Sequence, residues 1–118
     1  MMRAEARALG QALLDHHRAV TSQHPPAKNI IPSWYTIRYG ALCSKAGVPH
    51  VLRVIGGFLQ EVAEWCEVNR YPALNSLAVN DTGMPGDGYD GVGGFKIVHW
   101  HAEVEKCIRF GGYPAAMP

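Results

Sequence analysis

A small α+β domain is what the sequence predicts, and three observations carry that prediction. Two short helical stretches are separated only by "GVP" (residues 47–49). A glycine-rich, strand-flanked reversal follows over residues 76–97. A further helical stretch stands on either side of this unit. Helix, turn, helix and then a hairpin is the order of a winged helix, with the helix-turn-helix over about residues 38–67 and the wing over about 76–97. The 118 residues fit one domain, taken as 1–118.

Arg3 to Val20 reads as the first helix, with Leu9, Leu13, Leu14 and Val20 supplying part of an apolar face. "TSQHPPAKN" (21–29) breaks it, because two prolines and small polar residues favour a loop. "IIPSWYTI" is β-branched and aromatic and reads as an extended or turning lead-in. Arg38 to Val48 is the next helix candidate, with Leu42 facing inward, Gly47 just past its end and Pro49 preventing continuation. A second helix is expected to begin at once, with Pro49 in its first turn. Val51, Ile55, Phe58, Leu59, Val62, Trp65 and Cys66 recur at intervals of three and four and predict one buried stripe. Gly56 and Gly57 interrupt this helix at about 1 kcal/mol each relative to alanine, which points to close approach by a packed helix or a ligand backbone.

Ser76 to Val79 reads as a short strand, and "DTGMPGDGY" (81–89) as the tip of a hairpin. Phe95, Ile97 and His99 alternate with Lys96 and Val98, as in a returning strand, or else lead directly into the last helix. That helix is expected over Ala102 to Phe110, stopped by Gly111 and Gly112.

Composition narrows the function classes. Apolar residues make up 47% and charged residues 18%, a globular balance. The net charge of +1 by itself favours neither nucleic acid nor membrane, and no apolar run has a spanning length. Three scattered cysteines, Cys43, Cys66 and Cys107, without a recognisable leader predict reduced thiols and a cytoplasmic location, with Cys66 and Cys107 in the core. Charge is unevenly distributed. Between Trp34 and Ile55 it consists of Arg38, Lys45 and Arg53. Between Gly56 and Asp90 it consists of Glu61, Glu64, Glu67, Asp81, Asp87 and Asp90 against Arg70 alone.

"YTIRYGALCSKAGVPHVLRVIGGFLQ" resembles the DNA-binding segment of the O6-alkylguanine-DNA alkyltransferases and the alkyltransferase-like proteins. Thr36, Tyr39, Gly40, Leu42, Gly47, Pro49, Arg53, Gly56 and Leu59 carry the match, over about a quarter of the chain. Downstream, the family's Pro-Cys-His-Arg motif meets "YPALNSLAVN", with Ala73 where the alkyl-accepting cysteine would stand. A methyl side chain cannot accept an alkyl group. The resemblance therefore implies a non-enzymatic DNA-binding protein without cofactor. In it, Tyr39 would crowd the phosphate beside a flipped nucleotide and Arg53 would fill the vacated place in the stack. Arg38, Ser44, Lys45 and His50 complete the expected contact surface on double-stranded DNA. The residues also allow Tyr39 as a half-buried tyrosine closing the helix pair and Arg53 as a solvated arginine.

The acids support an alternative. Asp81, Asp87 and Asp90 on or near the wing would be repelled by phosphates. A protein-interaction module, such as an inhibitor or adaptor from a phage or mobile element, could use that acidic wing as its recognition surface. Other chemistry is weaker. "HWH" (99–101) would place His99 and His101 on one face of a strand, with Glu103, Glu105 and Cys107 as candidate further metal ligands, but a surface or cap pair is the simpler reading. His16 and His17 point in two directions on a helix. No phosphate-binding loop, calcium loop or Ser-His-Asp set can be placed.

Overall fold

The computed structural model describes residues 2–85 and 99–118. Helix α1 spans Ala4–Gln23, three residues further than its apolar pattern indicates. Ala6, Leu9, Leu13, His17 and Val20 form its buried row, with Gly10, Ala12 and Leu14 beside it. No side chain of its own caps α1. Instead Glu61 reaches across, and its Oε1 accepts from the Arg3 N–H at 2.9 Å. That carboxylate sits where the positive end of the helix dipole favours it. The Arg3 side chain returns the contact by pairing with Glu61 and lying 4.1 Å above the centre of the Phe58 ring.

A 3₁₀ turn, Pro32–Trp34, leads into strand β1 (Ile37–Arg38) and then helix α2 (Tyr39–Ala46). Gly47 ends α2 as expected. At φ 76° its N–H donates to Ser44, while the Val48 N–H donates to Cys43. These two bonds make a Schellman stop.

The next segment departs from the expected helix. Pro49–Val54 forms a 3₁₀ turn, and helix α3 begins only at Ile55, running to Val68. Pro49 does start the turn, but β-branched Val51 and Val54 followed by two glycines make a weak α-nucleus. The apolar stripe survives the change: Val51, Ile55, Phe58, Leu59, Val62 and Cys66 are all buried, and Trp65 is half-buried.

A 3₁₀ turn, Leu74–Leu77, precedes strand β2, which is shortened to Ala78–Val79. β2 lies parallel to β1, with Ile37 opposite Ala78 and Arg38 opposite Val79. Parallel strands need a long crossover, and α2 and α3 supply it. The described partner of β2 is thus β1, whereas the returning wing strand expected near residues 95–98 falls outside the described residues, as do Asp87 and Asp90. The first part of the expected hairpin tip is a tight turn. Asn80 Oδ1 accepts from Thr82 N–H and hydroxyl, Gly83 sits at φ 82°, and Asn80 N–H donates to Met84. Helix α4 spans Trp100–Arg109, two residues earlier than expected. The described residues therefore form an α+β domain of helices around a short parallel strand pair. Among them, no helix is long and apolar enough to cross a membrane.

Candidate nucleic-acid interface

The sequence-predicted contact residues fall on β1, α2 and the 3₁₀ turn that joins α2 to α3. Arg38 is exposed at the end of β1, and Ser44 and Lys45 are exposed on α2. His50 and Arg53 are exposed on the turn, Arg53 between Leu52 and a Val54 that is 61% exposed. Tyr39 is half-buried and packs on the core. That placement meets the closing role and leaves part of the ring at the surface. Arg38, Lys45, His50 and Arg53 form no ion pair with any described residue.

The two glycines of α3 stand on the same exposed stretch. A side-chain carbon placed on Gly56 would meet nothing within 4 Å, and one on Gly57 would meet only the Arg3 guanidinium at 3.7 Å. Neither glycine has positive φ. The packed helix considered as their reason is therefore not supplied by the described part of this chain.

Charge separates along α3. Glu61 is taken up by Arg3. Glu64 and Glu67 are exposed near the C-terminal end, beside a Val68 that is 83% exposed. Along α3, the nine residue steps from Ile55 to Glu64 rise about 1.5 Å each, roughly 14 Å in all, more than a Debye length at physiological salt. Asp81 is exposed beyond β2.

The Ala73 region has the opposite character. Ala73 is fully buried. Its N–H donates to Glu103 Oε2 at 2.7 Å, and its carbonyl accepts from the Cys107 thiol at 3.1 Å. The neighbouring Pro72 carbonyl accepts from the Tyr113 hydroxyl at 2.7 Å. The Trp100 indole N–H donates to the Ser76 carbonyl at 2.8 Å. His17 Nε2 donates to the Cys107 carbonyl at 2.7 Å. Burial pushes the Cys66 thiol up to about 11 and raises Cys43 and Cys107 as well. None of the three thiols is a thiolate at neutral pH, as expected for core cysteines.

The histidine pair at 99 and 101 is not on a described strand. His99 immediately precedes α4 and His101 lies in its first turn, so the shared-face geometry for a metal does not apply. Among the described residues, no group of three His, Cys, Asp or Glu side chains could hold a metal ion. Sequence reasoning passed over Glu103 as a structural carboxylate, because an acid in an otherwise amphipathic helix reads as solvated. It also passed over His17, whose place on the Leu9–Leu13–Val20 row was the available signal.

Searches for related proteins found no matching family model, curated protein or solved structure.

Proposed function

We propose that this is a non-enzymatic DNA-binding protein of winged-helix type that contacts duplex DNA through β1, α2 and the Pro49–Val54 turn. The observation that carries the proposal is the set of exposed basic residues Arg38, Lys45, His50 and Arg53, with no described ion-pair partner, beside a glycine pair that no described helix covers. Arg38, Lys45 and Arg53 suit a polyanionic partner. The open glycines suit a partner backbone that comes close. Arg53 is exposed on a turn, which supports nucleotide flipping as the proposed mode, with Arg53 in the vacated place of the stack and Tyr39 against the adjoining phosphate. Ser44 would add a neutral phosphate contact. No alkyl transfer is assigned, because Ala73 has no nucleophile.

The acidic end of α3 favours a second reading. Glu64, Glu67 and the exposed Val68 would suit a basic protein partner, with Asp81 as the described part of an acidic wing surface.

A titration with labelled duplex at two salt concentrations tests the first reading. Binding should weaken with salt in proportion to the phosphates neutralised. Arg53→Ala should lower affinity about tenfold, and Lys45→Ala should reduce the salt slope by about one. Absence of binding at low salt overturns the DNA reading. Equal affinity for plain duplex and duplex with an extruded base overturns flipping alone.

A further inference from the structure

We propose that Trp34, backed by His24, is a stacking platform for an unpaired nucleobase, so that duplex carrying a single-stranded flank binds better than blunt duplex. This rests on the nucleic-acid reading of the neighbouring helix pair and extends it to a second ligand class.

Trp34 is 53% exposed, whereas Trp100 is buried and Trp65 half-buried. An indole on the surface needs a reason, and Trp34 is held in place rather than loosely presented. Pro32 starts its 3₁₀ turn, the Trp34 N–H donates to Ile31 at 3.0 Å, and the Tyr35 N–H donates to Pro32 at 2.9 Å. The His24 ring lies 5.1 Å from the indole in a tilted arrangement, 32° between planes. His24 is fixed in turn: buried Tyr35 donates its hydroxyl to the His24 carbonyl at 2.8 Å and sets its ring edge against the imidazole at 6.0 Å.

The surroundings identify the occupant. His16 Nε2 donates to the Tyr35 carbonyl at 2.7 Å. A continuous set of contacts thus runs from His16 through Tyr35 and His24 to Trp34. Lys28 is exposed on the loop that follows His24, and Arg38 is exposed three residues beyond Tyr35. That loop is tied down by the Arg109 guanidinium, which donates to the Ala27 and Lys28 carbonyls while pairing with Glu105. Lys28, Arg38 and Lys45 have no acidic partner among the described residues. An exposed aromatic face whose flanking chain carries the exposed Lys28 and Arg38 matches a polyanion whose monomers carry π-faces, and it does so for any base. A purely apolar peptide would gain nothing from the cations.

The test compares three labelled probes: a blunt duplex of about 14 base pairs, the same duplex with about six overhanging thymidines at either end, and a thymidine strand of about 12 residues. Anisotropy gives affinity, and tryptophan emission reports on Trp34. The overhang should strengthen binding about tenfold and quench the emission. Trp34→Leu should remove that gain. Trp34→Phe should keep most of it while losing the quench, which separates stacking from general disruption. Duplex binding with no overhang gain, or with a gain that Trp34→Leu leaves intact, overturns the platform and spares the DNA reading. Thymidine-strand binding that depends on residue 34, without duplex binding, overturns the helix-pair reading and keeps the platform. Binding to none of the probes overturns both.

Discussion

The two polar regions of this molecule differ in where their partners are. Around Ala73, almost every polar group is answered from within the chain: Glu103, Cys107, Tyr113, Trp100 and His17 each meet a named backbone atom. Around Arg53, the cations meet no described acid, and a side-chain carbon on Gly56 would meet no packed atom. Internally satisfied groups hold a fold together. Exposed groups without internal answers are solvated, and under the proposed function they are the ones available to a partner. The Ala73 loop is bonded into the architecture of the fold. The exposed face of β1, α2 and the Pro49–Val54 turn is not.

The sharpest way to break this contrast is at Glu103, which is only 3% exposed. Glu103→Ala removes the acceptor for the Ala73 N–H and opens a cavity, and should destabilise by about 2–4 kcal/mol. Glu103→Gln keeps an acceptor and should cost much less. Denaturant melts of the two variants measure the difference. If both melted like the parent, the Ala73 region would not be the architectural element it is taken to be here. DNA affinity of the folded Glu103→Gln protein should stay unchanged, in contrast to the roughly tenfold loss expected for Arg53→Ala.

Acid provides a second lever on the buried region. Burial lowers His16 and His17 from their usual 6.5, because desolvation of each ring outweighs the opposing hydrogen bond it donates to a carbonyl. Depressed histidines bind fewer protons in the folded state than in the unfolded one. Stability therefore rises with pH through this range: it is fully present above about 6.5 and falls as pH drops from there towards the lowered folded values. Thermal melts from pH 7.5 down to 5 should show a falling midpoint. His17→Gln should flatten the slope even if it lowers the midpoint at pH 7.5. A pH-independent midpoint in the parent would contradict neutral burial of both rings.

Much of this fold could be read from residue pattern, for identifiable reasons. Gly47 marked the end of α2 because only a left-handed residue closes a Schellman stop without strain. The Val51-to-Cys66 stripe marked the buried face because its spacing survives a change from 3₁₀ to α geometry. Long-range pairing was not legible. Nothing in "LAV" says that β2 lies parallel to β1, because strand partner choice is settled by tertiary packing. Nor does a lone Glu103 reveal its burial, since that depends on an unpaired N–H thirty residues away. On the face formed by β1, α2 and the Pro49–Val54 turn, the exposed cations were legible as charge, whereas the openness above Gly56 appears only in three dimensions.

A smaller stability effect sharpens the other side of the comparison. Arg70 holds φ 59° just after α3, where the Tyr71 N–H closes back onto Cys66 at 2.8 Å. An L-residue there is strained by about 1 kcal/mol. Arg70→Gly should recover up to that amount in a denaturant melt, despite the added flexibility of the unfolded chain. It should leave DNA affinity unchanged, because Arg70 lies at the acidic end of α3. Lost stability would mean that the arginine side chain contributes more than its backbone strain removes.

Gly56→Ala places stability and binding in opposition at a single atom. The position is helical, exposed and sterically open, so the added methyl should stabilise by up to about 1 kcal/mol, less if first-turn fraying dilutes the effect. If the glycine is present because a partner backbone comes within contact distance, the same methyl should weaken DNA binding several-fold. Gly57→Ala provides the comparison, since its methyl would meet the Arg3 guanidinium at an ordinary 3.7 Å. A Gly56→Ala protein that is both more stable and equally tight on DNA would leave the exposed glycine without a binding role. One that is more stable and weaker would place the close approach at the first turn of α3.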